Sequence, residues 1–324
     1  MSDLEVHLCE ATKSDIHELV EFNRSEMAAS YRNGKWHIEH MIWIEEDPYA
    51  CYQRGGPWLH PDSLTVYLEL MKEIGSIWLL KDVHTNRIIG EADFVWSSEP
   101  PPLGNLLYLT WIAISPDHRE QGLGMKLLSN ASEKEIENHP AAQYIDTIPE
   151  DNLTRGLFER VGLEKWKEIC SFELQHISIN DSHDLTDLEI EKRDLQEAPI
   201  GLVNTGRVWY PTSYCWASIR YSDRLAKVLQ RKPQNSIKSY NVEFENNLMV
   251  ITDSNLGYLW MDPAIVNEEK AYSVALAAMK KNASRHSNSI RFDTFRETLH
   301  HFSKIDNDLT VEAKPYMRKV LGRS

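Results

Sequence analysis

The sequence predicts an α/β (α+β) protein of two domains. Its 324 residues exceed what one compact core usually holds, so two cores are expected. Strand-period and helix-period segments alternate through the first half in the order strand, helices, three strands, helix, strand, helix, strands. Similar segments recur after an offset of about 147 to 149 residues. Trp111-Ile112-Ala113-Ile114 falls opposite Trp260-Met261-Asp262-Pro263, and Ile145-Asp146-Thr147 opposite Phe292-Asp293-Thr294, each before a helical stretch.

Glu5 to Ala11 alternates as a short strand, and Thr12-Lys13-Ser14-Asp15 supplies N-cap candidates for a helix over Ile16 to Tyr31. Aromatic residues crowd the next stretch (Trp36, Trp43, Tyr49, Tyr52, Trp58, Tyr67), with a turn at Gly55-Gly56-Pro57 and a helix over Pro61 to Ile74. These rings are core residues or the wall of a site for a cationic amine. Ile77 to Val83 and Ile88 to Trp96 read as an antiparallel hairpin across His84-Thr85-Asn86-Arg87. Pro100-Pro101-Pro102-Leu103-Gly104 interrupts the chain before a strand over Leu106 to Ser115. A helix over Gly122 to Asn138 follows, on the spacing of Leu123, Leu127, Leu128, Ala131 and Ile136. Ala142 to Ile148 then reads as a strand, Asn152 to Val161 as a helix and Glu164 to Leu174 as a strand or strand pair. Polar Ser178 to Asp184 makes a linker, which sets the domains at 1–177 and 178–324.

Composition narrows the function. Hydrophobic residues make up 42% and charged residues 26%, the balance of a folded globular chain. No apolar run approaches the roughly 20 residues of a membrane span. The acidic start, Met1-Ser2-Asp3-Leu4-Glu5, is unlike a secretory signal, so no membrane association and a cytoplasmic location are expected. Cys9, Cys51, Cys170 and Cys215 form no C-x-x-C pair. His37-Ile38-Glu39-His40 lacks a third ligand at matching spacing, so no metal is expected. The net charge of −14 sits in the first half: residues 1–176 hold 15 basic and 30 acidic residues, the remainder 20 and 19. That charge disfavours nucleic acid and favours a cationic or amine-bearing partner.

One loop carries candidate chemistry. Arg119-Glu120-Gln121-Gly122-Leu123-Gly124 stands between a predicted strand and a predicted helix, where helix N-terminal amides point at an approaching anion. Gly122 and Gly124 let a diphosphate reach the backbone, and Arg119 adds positive charge. A P-loop is excluded because Gly122 is followed by Leu-Gly-Met-Lys, and the glycine fingerprint of a dinucleotide fold is absent after the first strand.

On this segment, from Tyr108 to Leu128, and on Asn152 with Leu157-Phe158-Glu159-Arg160-Val161-Gly162-Leu163, residues 4–176 resemble the GNAT superfamily of N-acetyltransferases. The resemblance implies a mixed, mostly antiparallel sheet flanked by helices, and acetyl-CoA as cosubstrate. It implies that Ile112, Ala113 and Ile114 bind the pantetheine arm, that residues 119 to 124 hold the diphosphate, and that Asn152 faces the cofactor. The family's tyrosine that protonates the departing thiolate is replaced by Phe158. Glu91 and Asp93, alternating on one strand, and Tyr108, where some members have a glutamate, are the candidates for proton transfer. The offset that aligns the halves brings the loop onto Glu268-Glu269-Lys270-Ala271-Tyr272-Ser273, which has no glycine, so the second domain is expected to be a degenerate repeat without cofactor. The resulting expectation is an N-acetyltransferase acting by direct attack of an amine in a ternary complex, with a small acceptor favoured over a protein. The alternative is an acyl-CoA-binding sensor or scaffold without chemistry. The acceptor and the oligomeric state are open.

Overall fold

The computed structural model describes residues 4–32, 35–38, 47–175, 189–194, 198–199, 201–204, 211–230, 238–252, 258–282, 289–303 and 309–322. The linker expected at Ser178 to Asp184 lies outside these residues, as do Glu39 and His40 of the two-histidine string.

The first half runs β1 (Val6–Glu10), α1 (Ile16–Met27), β2 (Ala29–Arg32), β3 (Lys35–Ile38), α2 (Pro48–Gly55), α3 (Pro61–Ile74), β4 (Gly75–Asp82), β5 (Ile88–Ser98), β6 (Asn105–Ile114), α4 (Leu123–Asn138), β7 (Tyr144–Thr147), α5 (Asn152–Arg160) and β8 (Glu164–Gln175). Most bounds fall within two residues of the sequence expectation. The exception is α1, which ends at Met27; residues expected to be its last turn pair as the hairpin β2–β3. The second half follows as β9 (Ile190–Arg193), β10 (Val203–Asn204), α6 (Thr212–Val228), β11 (Ser239–Phe244), β12 (Asn247–Thr252), β13 (Leu259–Met261), α7 (Glu268–Asn282), β14 (Ser289–Phe295), α8 (Leu299–Ser303) and β15 (Glu312–Val320). Its order from α6 to β15 repeats that from α3 to β8.

The main sheet has eight strands in the order β1-β4-β5-β6-β7-β15-β8-β14, and a second has five, β10-β13-β12-β11-β9. Among the described residues only β6 and β7 pair parallel, so the sheets are mixed and mostly antiparallel. The main sheet crosses the division expected at 177/178. The last strand of the chain, β15, lies between β7 and β8, and β8 pairs on its other side with β14. Each half therefore supplies its final strand beside the other's penultimate strand.

A buried ion pair fixes this exchange. Arg318 of β15 donates from Nε to Asp146 Oδ1 at 2.8 Å and from Nη2 to Oδ2 at 2.6 Å, while Tyr316 donates to the same Oδ2 at 2.9 Å. Two further guanidinium N–H groups reach Pro102 O and Leu103 O, and the group lies 3.6 Å from the Trp166 ring centre and 4.0 Å from that of Tyr144. Both carboxylate oxygens and four of the five guanidinium N–H groups are hydrogen-bonded, which is the condition under which a buried pair is tolerated.

The helical face of the main sheet is shared between the halves. Leu19, Val20, Leu64, Leu68, Leu79 and Val95 pack with Ala217, Tyr221 and Leu225 of α6. Glu99 anchors the start of α6, accepting from Thr212 N at 2.7 Å and Thr212 Oγ1 at 2.8 Å.

Arg318→Met should leave Asp146 buried without its partner and cost about 3–5 kcal/mol, read from the denaturant midpoint. The double change Asp146→Asn with Arg318→Met should recover more than half of that loss. A single-variant cost below about 1 kcal/mol would show that the pair does not hold β15 in place.

Candidate functional site

The site begins where two strands part. β7 pairs with β6 only from Tyr144–Asp146 against Leu106–Tyr108, whereas β5 follows β6 as far as Ile114. Thr147 Oγ1 donates to Leu109 O at 2.9 Å and closes the apex of the fork. At this point β6 carries a bulge: Asp93 faces Trp111 and Phe94 faces Leu109, leaving Thr110 as the extra residue. Its hydroxyl donates to Asp93 O at 3.2 Å. A bulge re-aims the strand beyond it, and here that stretch walls a cavity of about 350 Å³.

Ile112, Ala113 and Ile114 line the cavity from β6. Arg119, Glu120 and Gly122 line it from the loop, and Leu123 and Gly124 from the first turn of α4. Gln121 does not; its amide donates to Asp117 O at 3.4 Å on the exposed side. The loop turns through two left-handed residues, Glu120 at φ +64° and Gly122 at φ +78°. Gly122 is the N-cap of α4. Among the described residues no hydrogen bond uses the backbone N–H groups of residues 120–125. They stand at a helix N-terminus beside a cavity, the arrangement that attracts an anion.

The two glycines differ in purpose. A Cβ on Gly122 would meet nothing within 4 Å, so the left-handed φ and not packing demands glycine there. On Gly124 it would meet Leu157 at 3.5 Å and Ile114 at 3.7 Å, ordinary contacts with two cavity-lining residues. Glycine at 124 therefore keeps the cavity open rather than relieving the backbone.

Arg119 is engaged within the protein. Its Nε donates to Ile114 O at 2.8 Å, and Nη2 pairs with Glu26 at the end of α1. Glu26 also lines the cavity, with its side chain 9% exposed and Oε1 buried without a hydrogen-bond partner. Burial pushes its carboxyl up to about 7 despite the opposing pull of Arg119.

On the far side, α5 is capped by Asp151, whose carboxylate accepts from Thr154 N at 2.8 Å. Asp151 and Thr154 line the cavity. Asn152, expected to face the cofactor, is the first helical residue; it is exposed and outside the lining. Phe158 does line the cavity and is otherwise sealed into the core beneath α4.

Of the proton-transfer candidates, Glu91 and Asp93 come together on one face of β5, each 2% exposed. Asn23 Nδ2 donates to Glu91 at 3.0 Å, and Tyr67 donates to Asp93 Oδ2 at 2.9 Å. Burial, followed by the neighbouring Asp93 charge, raises Glu91 well above the usual carboxylate range. Burial raises Asp93 to about 7, with the Tyr67 hydrogen bond opposing. Asp93 Oδ1 is buried without a partner, as is Nε1 of Trp111, the residue opposite it. Neither carboxylate lines the cavity; Trp111 and Glu26 stand at the wall on that side. Trp58 stacks on Trp111 with ring centres 6.3 Å apart and meets Tyr67 edge-on at 6.0 Å. Tyr108 is elsewhere, buried with Leu103, Leu106, Ile169, Phe295 and Tyr316 where β6 and β7 are still paired, and does not reach the cavity. Sequence reasoning missed Glu26, Thr110 and Trp111 as site residues. No short-range pattern marks Glu26, whose partner lies 93 residues away.

In the second half, the residues aligned with the loop form the first turn of α7, opening on Glu268 and Glu269. Among the described residues, no group of three or more His, Cys, Asp or Glu side chains is arranged to hold a metal, and no helix is long and apolar enough to cross a membrane.

Residues 38–163 match the model of the acetyltransferase (GNAT) family, and no curated protein matches the chain. Among solved structures, a GCN5-related N-acetyltransferase from Anabaena variabilis is 13% identical with a TM-score of 0.57, over 98% of this chain and 73% of that one. A GCN5-related N-acetyltransferase from Kribbella flavida is 10% identical with a TM-score of 0.56, over 98% and 71%. A probable N-acyltransferase from Enterococcus faecalis is 9% identical with a TM-score of 0.56, over 98% and 73%. The chain has the fold of the GNAT superfamily of N-acetyltransferases, laid down as two successive sheet-and-helix units.

Proposed function

We propose that the chain is an acyl-CoA-dependent N-acyltransferase that moves an acetyl group to a small amine by direct attack within a ternary complex. The observation that carries this reading is the row of unused N–H groups at residues 120–125, beside the cavity between β6 and β7. Those amides are suited to a diphosphate, and the exposed edge of Ile112 to Ile114 to an amide-bearing arm. A β6 amide at the fork would stabilise the oxyanion as it forms. Asp93, paired with Glu91, takes the proton released by the attacking amine through water past Trp111, for which a carboxyl titrating at about 7 is well matched. Tyr108, sealed in the core, has no part in this scheme.

A binding module without chemistry is the second reading. Phe158 favours it, because the position lacks a hydroxyl to protonate a departing thiolate, and neither Glu91 nor Asp93 lines the cavity. Thiol release from acetyl-CoA across a panel of small amines separates the two. The enzyme predicts release above background with at least one amine; tight CoA binding without release across the panel selects the module.

Gly124→Val should weaken CoA binding at least tenfold in calorimetry while the melting temperature moves by less than about 2 °C. Unchanged affinity would move the diphosphate elsewhere. Gly122 is the poorer test, since its left-handed φ makes any replacement strained.

Asp93 also gives a pH prediction. Its folded pKa lies above the unfolded value, so its contribution to stability is present at low pH and lost as pH rises through about 7. Asp93→Asn should therefore raise the melting temperature by about 2–4 °C at pH 8 and change it little at pH 4. If thiol release is found, the same variant should reduce its rate. A variant less stable than the parent at pH 8 would contradict the assigned direction.

A further inference from the structure

Arg119 opens the loop that carries the unused amides, yet it is paired with an acid at the cavity wall. Its Nε is held by Ile114 O, which draws the side chain back along β6, and its Nη2 is on Glu26. Glu26 keeps one oxygen for Arg119; the other is buried and unpartnered at the same wall. Two negative groups thus have a claim on one guanidinium: a carboxylate already in place and an anion arriving at the mouth of α4. We infer that Glu26 and the cofactor's diphosphate compete for Arg119, so that cofactor binding is coupled to uptake of a proton by Glu26. The inference rests on the reading of this cavity as the acyl-CoA site.

The surroundings set the sign. Glu26 pairs with Arg119, shares the cavity wall with His118 and Glu120 of the loop, and lies near Glu91 of β5, behind which stand Asp93 and Tyr67 of α3. On its own helix, Arg24 is turned away onto Glu21 and Leu59 O. Among the described residues Arg119 is thus the charge that favours ionised Glu26, against burial. A diphosphate that draws Arg119 away removes that support and brings further negative charge. The carboxyl, already titrating at about 7, then takes a proton from solvent, and the neutral acid no longer opposes the ligand. Affinity rises as pH falls from 8.5 toward 6.5 and is weakest where Glu26 stays charged.

The test is calorimetric titration of the whole chain with dephospho-CoA, which keeps the diphosphate and lacks the titrating 3′-phosphate. Buffers of different ionisation enthalpy at pH 7.5 report the protons taken up. The parent should take up roughly half a proton or more and bind about tenfold tighter at pH 6.5 than at 8.5, whereas Glu26→Gln should bind at least as tightly as the parent at pH 8.5, with no uptake and a flat profile. If Glu26 merely props the loop, Glu26→Gln binds more weakly at every pH, which overturns the inference. Binding by the parent without proton uptake also overturns it and leaves the cofactor site standing. Absence of binding by both proteins removes the cofactor site itself.

Discussion

The structure turns on backbone N–H groups that its own strands and helices do not satisfy. An N–H without an acceptor costs about 1–3 kcal/mol when sealed from water, so a fold keeps such groups only where solvent or a ligand reaches them. Residues 120–125 meet that condition because β6 and β7 diverge and leave a cavity in front of α4. The divergence has local causes: a bulge at Thr110, a β7 only four residues long, and a loop that passes through two left-handed conformations before the helix starts.

Much of the first half was legible in the sequence. The apolar spacing of Leu123, Leu127, Leu128 and Ala131 marks the face of α4 that the structure buries, and Pro61 to Ile74 is a helix at the same bounds. Gly122 and Gly124 identify the loop because their strand-to-helix setting is a matter of local order. What failed depends on distance or on local competition. The helix read through to Tyr31 stops at Met27, although Asn33-Gly34 in the sequence is a recognised hairpin signature. Asn152 looked like the residue opening α5 toward the cofactor, but the cap is its neighbour Asp151. Glu26 and Arg119 are 93 residues apart, and Asp146 and Arg318 are 172 apart; neither pairing leaves a trace in periodicity or composition.

The second half explains itself through what it gives the first. Its final strand completes the main sheet beside β7, and α6 lies on α3 with Tyr221 donating to Ser63 O at 3.1 Å. These contacts cover the face on which Asn23, Tyr67, Glu91 and Asp93 meet, and burial there is the largest cause of the raised carboxyls. The aligned turn of α7 has Ala271 and Ser273 where the first half has Gly122 and Gly124. Among the described residues the cavity wall holds the acids Glu26, Glu120, Glu150 and Asp151, with Arg119 paired to Glu26.

The unused amides at the mouth of α4 are read directly by amide hydrogen exchange. Without ligand, the N–H groups of residues 120–125 should exchange quickly while those in the middle of α4 are protected; adding CoA should slow the loop amides by at least tenfold. Loop amides that are already slow without ligand, or that exchange unchanged at saturating CoA, would contradict the account.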